Sequence, residues 1–156
     1  MENPLRRIRS VADYQFGKGV GAKLFPDSVE IEFSKRTGRI RYVYLDGKRL
    51  ATMRPTDGLF SLSITGAKRI VENACDAKCF VTVQRDVSKF IAEGGDVFAA
   101  HVVRADCEIR PKDEVIVLDE DGNVLAVGRA VLSGEEMKAF RCGVAVKVRR
   151  GCAEES

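Results

Sequence analysis

Apolar residues at the start of the chain recur at the spacing of an α-helix. The repeating positions are Leu5, Ile8, Val11 and Ala12. Asn3-Pro4 precedes them, in the form of an N-cap followed by proline at the first helical position. The pattern predicts a short amphipathic helix to about Tyr14, and the glycine-containing stretch after it is predicted to be a loop.

The next segments alternate apolar and polar residues, as half-buried strands do. Strands are predicted at "VEIEF" (29–33), "RIRYVYL" (39–45) and "KRLATM" (48–53), with Asp46-Gly47 as a hairpin turn between the last two. "FSLSI" is predicted to add a short strand. "TGAKRIVENACDAK" follows as a second helix, with apolar residues on one face. The first half is therefore predicted to be an α+β unit: an antiparallel sheet with two helices.

The second half is richer in strands. "CFVTVQ" (79–84) is predicted to be a strand, "DVSKFIAEGGD" a short helix stopped by Gly94-Gly95, and "VFAAHVV" an extended segment. A hairpin turned at Asp121-Gly122-Asn123 follows. "SGEEMKAF" has capping-box spacing, which predicts a short helix, and "GVAVKVRRG" is the last strand. This pattern predicts a small β-barrel-like domain.

Charge divides the chain in the same place. Residues 1–78 contain 15 Lys and Arg against 9 Asp and Glu, whereas residues 79–156 contain 11 against 14. We therefore predict two domains, 1–78 and 79–156. A basic half is typical of a protein that binds a phosphate backbone, although solvated surface charge would give the same count.

Composition narrows the class of protein. The chain has 156 residues, of which 45% are hydrophobic and 31% charged, as in globular domains with a real core. "MENPLRRIRS" precedes no apolar signal segment, and no apolar run approaches the roughly 20 residues of a membrane helix. We expect a soluble cytoplasmic protein that does not bind membranes and whose five cysteines are reduced.

Several chemical motifs can be tested by their spacing. "DYQFGKGVGAKLF" (13–25) has neither the P-loop nor the dinucleotide-binding spacing and follows a helix, so it predicts no nucleotide site. "DEDGNV" (119–124) lacks the glycine position of an EF-hand and is predicted to be a hairpin turn. Lys18 and Lys23 remain as point charges that could touch a phosphate.

The sequence contains no pattern typical of a metal site or a catalytic site. Cys75 and Cys79 are four residues apart, but a shared metal would need further ligands from Cys107 or His101. Small core hydrophobes are the simpler interpretation of these cysteines. His101 is the only histidine and lies in no nucleophile motif, so we predict no metal, no cofactor and no catalytic residues.

A family resemblance appears when the segments are read together. Residues 12–70 resemble the domain that precedes the RNA-binding module of archaeal tRNA-guanine (archaeosine) transglycosylases. Residues 90–151 resemble a PUA domain, through "GGDVF", "IRPKDEV", "AVGRA" and "GVAVKV" in that order. The resemblance implies a C-terminal PUA β-pseudobarrel. It places RNA in a groove of this domain, between the domain's first helix, the Gly94-Gly95 loop after that helix, the next strand and the last strand.

The resemblance implies a set of RNA-binding residues in this sequence: Lys89, Gly94, Gly95, Asp96, Phe98, His101, Lys147 and Arg149. The two glycines would leave backbone N–H groups bare for a close approach of the RNA backbone, unless they serve only as a helix cap. Phe98 is expected either to stack on an unpaired base or to pack in the core. Lys147 and Arg149 are expected to project from the closing strand, in contact with either RNA or solvent.

The chain also departs from the family. The family pattern "FAPGV" reads "FAAHV" at 98–102, so His101 stands where relatives have glycine and would either add a contact or block the RNA. The catalytic barrel of the transglycosylases, with its nucleophilic aspartate and zinc cysteines, is absent from these residues. The sequence therefore predicts an RNA-binding protein that is not an enzyme.

Structured RNA such as tRNA is the expected partner, gripped at the acceptor stem or 3′ end. Further phosphate contacts are expected from a basic N-terminal face, formed by Arg6, Arg7, Arg9, Lys35, Arg36, Arg39 and Arg41. The protein would act alone or as the RNA-binding half of a split modification enzyme. The alternative is an interaction subunit that docks a separate transglycosylase catalytic chain through the acidic segment 106–121 or an exposed sheet. A stand-alone RNA-modifying enzyme is disfavoured, because it would need a nucleophile or metal cluster.

Overall fold

A computed structural model describes residues 3–74 and 76–154 of the chain, which divides into two compact units, Met1–Ala77 and Lys78–Ser156. The N-terminal unit contains three helices and four strands: α1 (Pro4–Phe16), α2 (Val20–Leu24), β1 (Glu30–Phe33), β2 (Ile40–Leu45), β3 (Lys48–Met53), β4 (Phe60–Leu62) and α3 (Ile64–Asn73).

The C-terminal unit contains six strands and two short α-helices: β5 (Phe80–Val83), α4 (Ser88–Ala92), β6 (Val97–Phe98), β7 (Val102–Ala105), β8 (Glu114–Leu118), β9 (Val124–Ala130), α5 (Gly134–Ala139) and β10 (Val144–Gly151). Within the part of the chain described, no helix is long and apolar enough to cross a membrane.

Helix α1 begins as its sequence predicts. The Asn3 side chain accepts a hydrogen bond from the Leu5 N–H at 2.9 Å, and Pro4 stands at the first helical position. The helix continues to Phe16, two residues beyond the predicted end, because the Phe16 side chain is fully buried. Gly17, at φ +129°, then ends the helix.

The glycine stretch predicted to be a loop contains helix α2, which is a correction. A Cβ at Gly21 would lie 2.1 Å from the Arg9 carbonyl oxygen, so only glycine permits α2 to pack this closely on α1. The Asp13 carboxylate accepts a hydrogen bond from the Gly21 N–H at 2.7 Å. Tertiary packing thus makes a helix where intrinsic propensity disfavours one.

The four strands of the N-terminal unit form an antiparallel sheet in the order β1-β2-β3-β4. The β2–β3 connection is the predicted tight turn at Asp46-Gly47, where both residues have positive φ. Helix α3 is capped by the Ser63 hydroxyl, which accepts from the Gly66 N–H. Phe25 and Phe60 meet in the core, with ring centroids 5.3 Å apart.

The C-terminal unit is built on a mixed sheet in the order β6-β10-β9-β8-β5-β7. The β5–β8 pair is parallel and the other pairs are antiparallel. "VFAAHVV", predicted to be one extended segment, is broken by a 3-10 turn at Ala99–His101. This break lets β6 pair with β10 while β7 pairs with β5.

The core of the C-terminal unit consists of small and branched apolar side chains, among them Val81, Ile91, Val97, Val115 and Met137. Helix α5 has the predicted capping box, because the Ser133 hydroxyl accepts from the Glu136 N–H and the Glu136 carboxylate accepts from the Ser133 N–H. The sheet order places β6 at one edge, next to β10, and the candidate site residues lie on these two strands or in the segments that adjoin them.

Candidate nucleic-acid interface

The glycine pair after α4 does not present bare amides, contrary to the expectation from sequence. The Gly94 N–H donates to the Ile91 carbonyl and the Gly95 N–H to the Phe90 carbonyl, each at 2.9 Å. Gly94, at φ +104°, is a helix-ending residue. The two glycines therefore act as a helix cap, and their N–H groups are not available as donors to RNA.

The space next to these glycines is also occupied. A Cβ at Gly94 would lie 3.0 Å from the Glu154 carboxylate, and one at Gly95 would lie 2.2 Å from the Phe90 ring. Phe90 is itself 55% exposed. The surface at this loop is thus an aromatic ring and a carboxylate rather than open backbone.

Asp96 joins the loop to the last strand. Its Oδ1 accepts a hydrogen bond from the Val148 N–H of β10 at 2.9 Å. This bond falls at a register irregularity between Val148 and Arg150, where β10 leaves the regular ladder with β9. The glycine loop, β6 and β10 therefore adjoin one another, as the expected groove requires.

Phe98 lies on β6, the edge strand of the sheet, beside this groove. It pairs with Val144 of β10, and its ring is 41% exposed. The His101 ring meets the Phe98 ring edge to face, with centroids 6.3 Å apart and planes at 87°. The structure thus gives His101 a contact with the Phe98 ring.

The exposed face of the β9–β10 pair carries the predicted Lys147 and an arginine, Arg129, that the sequence did not indicate. Lys147 is exposed and lies directly opposite the exposed Arg129 of β9. Residues in register share a face of the sheet. Lys89, on α4, is also exposed. Arg129 was missed because only the β9–β10 register reveals its neighbour.

Arg149 has a different environment from Lys147. Its Nη1 donates to Glu114 Oε1 at 2.9 Å, and its Nη2 pairs with Glu114 Oε2. The Glu114 side chain is fully buried, whereas the Arg149 side chain is 38% exposed. A bidentate guanidinium is the partner that a buried carboxylate needs. The structure therefore gives Arg149 a role in the fold, beside the RNA contact predicted for it.

A cavity of about 450 Å³ lies beside the 3-10 turn, lined by Ala99, Ala100, Val102, Lys138, Ala139, Phe140 and Arg141. Phe140 is 45% exposed. The cavity combines two cations with an exposed ring, a composition suited to a nucleotide. The sequence did not indicate this cavity, because it depends on the packing of α5 beside the 3-10 turn at Ala99–His101.

The acidic segment 106–121 has internal uses for its charges. Glu114 pairs with Arg149, and the Arg85 guanidinium pairs with Asp121 at 3.1 Å. Glu120 accepts the Arg85 N–H. Partial burial acts to raise the pKa of Asp119, but the hydrogen bonds it accepts from Asn123 and Asp121 outweigh this and lower its pKa. The turn at Asp119 is therefore closed by its own hydrogen bonds.

Metal chemistry finds no site in residues 3–74 and 76–154, where no three His, Cys, Asp or Glu side chains are grouped to hold an ion. Cys79, Cys107, Cys142 and Cys152 are free thiols, and Cys75 lies outside the described residues. Burial raises the pKa of the Cys79 thiol far above its ordinary value, so this cysteine is protonated and inert.

The predicted basic face of the N-terminal unit divides into two kinds of arginine. Arg9 donates from Nε to the Phe25 carbonyl at 2.8 Å and from Nη2 to Asp27 at 3.0 Å, so it ties α1 to the residues after α2. Four others line a cavity of about 950 Å³ together with Arg54: Arg7, Arg36, Arg39 and Arg41. Arg6 and Lys35 are exposed outside it.

Two family models match the chain. The patch-forming domain C2 of tRNA-guanine transglycosylase matches residues 6–76, and the PUA domain matches residues 80–152. The tRNA-guanine(15) transglycosylase of Pyrococcus furiosus is 47% identical over 154 residues, which is 99% of this chain and 26% of that protein. The chain thus spans about a quarter of the length of the transglycosylases it matches.

Solved structures share the fold. A hypothetical protein from Pyrococcus horikoshii has a TM-score of 0.78 and 26% identity, with 97% of this chain and 91% of that chain covered. A PUA domain protein from Thermoplasma acidophilum has a TM-score of 0.68 and 22% identity, with 96% and 89% covered.

These similarities confirm the resemblance and the α+β unit followed by a PUA pseudobarrel. Neither matched domain is the transglycosylase catalytic domain, and both connect the chain with RNA binding or tRNA modification.

Proposed function

Because residues 6–76 match the C2 domain of tRNA-guanine transglycosylase and residues 80–152 match the PUA domain, we propose that the chain is a non-catalytic RNA-binding protein of tRNA modification. The proposed domains are 1–78 and 79–156, and the PUA domain binds structured RNA such as tRNA. The supporting observation is the exposed Phe98 ring on β6, paired to the strand that carries Lys147.

The proposed contacts follow from the ring or charged group that each side chain exposes to solvent. Phe98 stacks on an unpaired base near the RNA end, and His101 holds the Phe98 ring edge-on. Lys147, Arg129 and Lys89 contact phosphates as exposed cations. Gly94, Gly95 and Asp96 shape the loop beside β10, and Arg149 acts mainly through its ion pair with Glu114.

The experiment is a gel-shift titration of the protein with tRNA, with and without the terminal CCA, at two salt concentrations. Lys147→Gln is expected to weaken binding about 3- to 10-fold and to reduce the salt slope by about 1. Phe98→Ala is expected to remove the preference for tRNA that ends in CCA. Arg110→Gln is the matched charge control, because Arg110 is exposed on the loop before β8.

The outcomes are distinct. Binding that is unchanged in both site variants, or that Arg110→Gln weakens as much as Lys147→Gln, contradicts recognition at β6 and β10. No binding of tRNA at low salt contradicts the proposed function itself.

A second candidate function is an interaction subunit that docks a separate transglycosylase catalytic chain. The observation that favours it is the similarity of nearly the whole chain to part of the tRNA-guanine(15) transglycosylases. Size-exclusion chromatography of this chain with the catalytic region of an archaeal tRNA-guanine(15) transglycosylase tests this. Co-elution supports a split enzyme, and separate elution with and without tRNA argues against it.

A further inference from the structure

The cavity of about 950 Å³ in the N-terminal unit, here called the arginine groove, is enclosed by three pieces of chain. The β1–β2 turn and the β3–β4 turn form two sides, and the start of α1 contributes Pro4 and Arg7. Five arginines line it against one acidic residue, Asp57. Such a concentration of guanidinium groups in a concave site favours a ligand with several anionic groups.

The β1–β2 turn holds two of these arginines without using their side chains. The turn is fixed by hydrogen bonds from the Gly38 N–H to the Ser34 carbonyl at 2.8 Å and from the Arg39 N–H to the Thr37 hydroxyl at 3.2 Å. Arg36 and Arg39 are exposed, and their side chains have no hydrogen bond or ion pair within the described residues. Their charges are therefore available to a ligand.

The β3–β4 turn contributes Arg54, which the sequence did not single out. Arg54 is bonded to Asp57, with its Nε 3.2 Å from Asp57 Oδ1. Its Nη1 is buried and has no hydrogen-bond partner among residues 3–74 and 76–154. Because this atom is closed to solvent, Arg54 adds positive charge to the groove wall, partly offset by Asp57, and not a donor that a ligand reaches directly.

The groove also has an aromatic wall. Phe33 is 44% exposed and stands at a register irregularity after Glu32, a feature that re-aims side chains at strand ends. It pairs with Ile40, which also lines the groove. Arg41, on the same wall, lies 5.3 Å from the Tyr42 ring centroid. Arginines beside an open ring are the combination that binds unpaired nucleotides.

We propose that the arginine groove is a second RNA site that takes an unpaired nucleotide of a bulge or loop. The base stacks on Phe33, and the flanking phosphates contact Arg36, Arg39 and Arg7. The volume suits one nucleotide and its neighbouring phosphates, since pockets of about 300–1,000 Å³ hold ligands of that size. This inference rests on the proposed function, because it assumes that the chain binds RNA.

The test uses the full chain and two labelled, blunt-ended RNA duplexes made from two strands, one with a three-nucleotide bulge and one fully paired, so that neither has a loop or a single-stranded end. Arg36→Gln/Arg39→Gln is expected to weaken binding of the bulged duplex by about 10-fold and to reduce the salt slope by about 2. Phe33→Ala and Phe33→Leu are both expected to abolish the preference for the bulge. The matched control is Lys48→Gln/Lys68→Gln, two exposed lysines of the same unit outside the groove.

Equal weakening by the control pair, or a bulge preference that survives in both Phe33 variants, would overturn the inference while leaving tRNA binding by the PUA domain intact. Inorganic tripolyphosphate separates the two proposals. If the wild-type chain binds no RNA, the proposed function fails. A tripolyphosphate-dependent rise in melting temperature that Arg36→Gln/Arg39→Gln removes would still support an anion groove, and its absence would overturn that as well.

Discussion

The arginines of the two units differ in what they already bind. On β10 of the PUA domain, Arg149 is committed to the buried carboxylate of Glu114. In the C2 domain, Arg36 and Arg39 stand on a rigid turn with no side-chain partner in the part of the chain described. The same residue type, equally basic in the sequence, therefore serves the fold in one place and is free for a ligand in the other.

The difference teaches that exposure and charge do not identify a binding residue. Arg149 is still 38% exposed, so an inspection of the surface alone would group it with Lys147 and Arg129. Removing an arginine that is paired within the fold lowers the free energy of unfolding. Removing one without such a partner mainly weakens ligand binding. Substitutions that measure stability and binding separately distinguish the two classes.

The largest expected effect is at the committed pair. Arg149→Ala leaves Glu114 buried without its partner, which is expected to destabilise the PUA domain by about 3 kcal/mol, as loss of one partner of a buried pair does. Urea unfolding measures this change. The double variant Glu114→Leu/Arg149→Met removes both charges and is expected to lie within about 1.5 kcal/mol of the wild type.

The same double variant tests whether Arg149 also binds RNA. If the stable double variant binds tRNA as the wild type does, any loss of tRNA binding in Arg149→Ala is due to the destabilised fold. If binding is lost in both, Arg149 contacts RNA directly and the prediction from sequence stands.

A smaller effect is expected at the committed arginine of the C2 domain. Arg9→Ala removes the bond to the Phe25 carbonyl and the ion pair with the exposed Asp27, for an expected cost of about 1–2 kcal/mol. Arg6→Ala, on the same helix, is the control and is expected to stay within about 0.5 kcal/mol, because Arg6 is exposed. Equal unfolding curves for the two variants would contradict the anchoring role of Arg9.

Much of the fold could be predicted from local pattern. The alternation in 39–53 and the Asp46-Gly47 turn gave the β2–β3 hairpin, and the Ser133 capping box marked α5, because these signals lie within a few residues. Helix α2 could not be predicted, since it depends on the approach of Gly21 to Arg9. The break at Ala99–His101 depends on which strands pair with β10 and β5.

The candidate site was predictable only in part, for the same reason. The family resemblance directed attention to β10, but the pairing of Arg149 with Glu114 joins residues 35 apart in the chain. Arg129 comes opposite Lys147 through strand register, and Arg54 reaches the groove through the second turn. Electrostatic partners are set by tertiary structure, so the sequence could count the arginines but could not divide them into committed and free.

The paired cations on the PUA sheet are expected to show a modest effect on RNA alone. Lys147 and Arg129 lie opposite each other with like charge, which is unfavourable in the free protein. Arg129→Gln is therefore expected to leave stability unchanged or slightly raised, and to weaken tRNA binding about 3- to 10-fold. A measured loss of stability above 1 kcal/mol would place Arg129 with the committed arginines instead.

The smallest expected change in stability is at the arginine groove. This prediction tests most directly whether arginines without a partner in the fold contribute to ligand binding and not to stability. Arg36→Gln/Arg39→Gln removes two charges from a site that holds five arginines and one acid, so self-repulsion falls. Unfolding in urea at low salt is expected to show the variant equal to or up to about 0.5 kcal/mol more stable than the wild type, and high salt is expected to erase the difference, because salt screens exposed charges. Destabilisation beyond 1 kcal/mol at either salt concentration would mean that these side chains support the turn. If these arginines lower the stability of the free protein and their removal weakens RNA binding, the two results together indicate that their role is to bind a ligand.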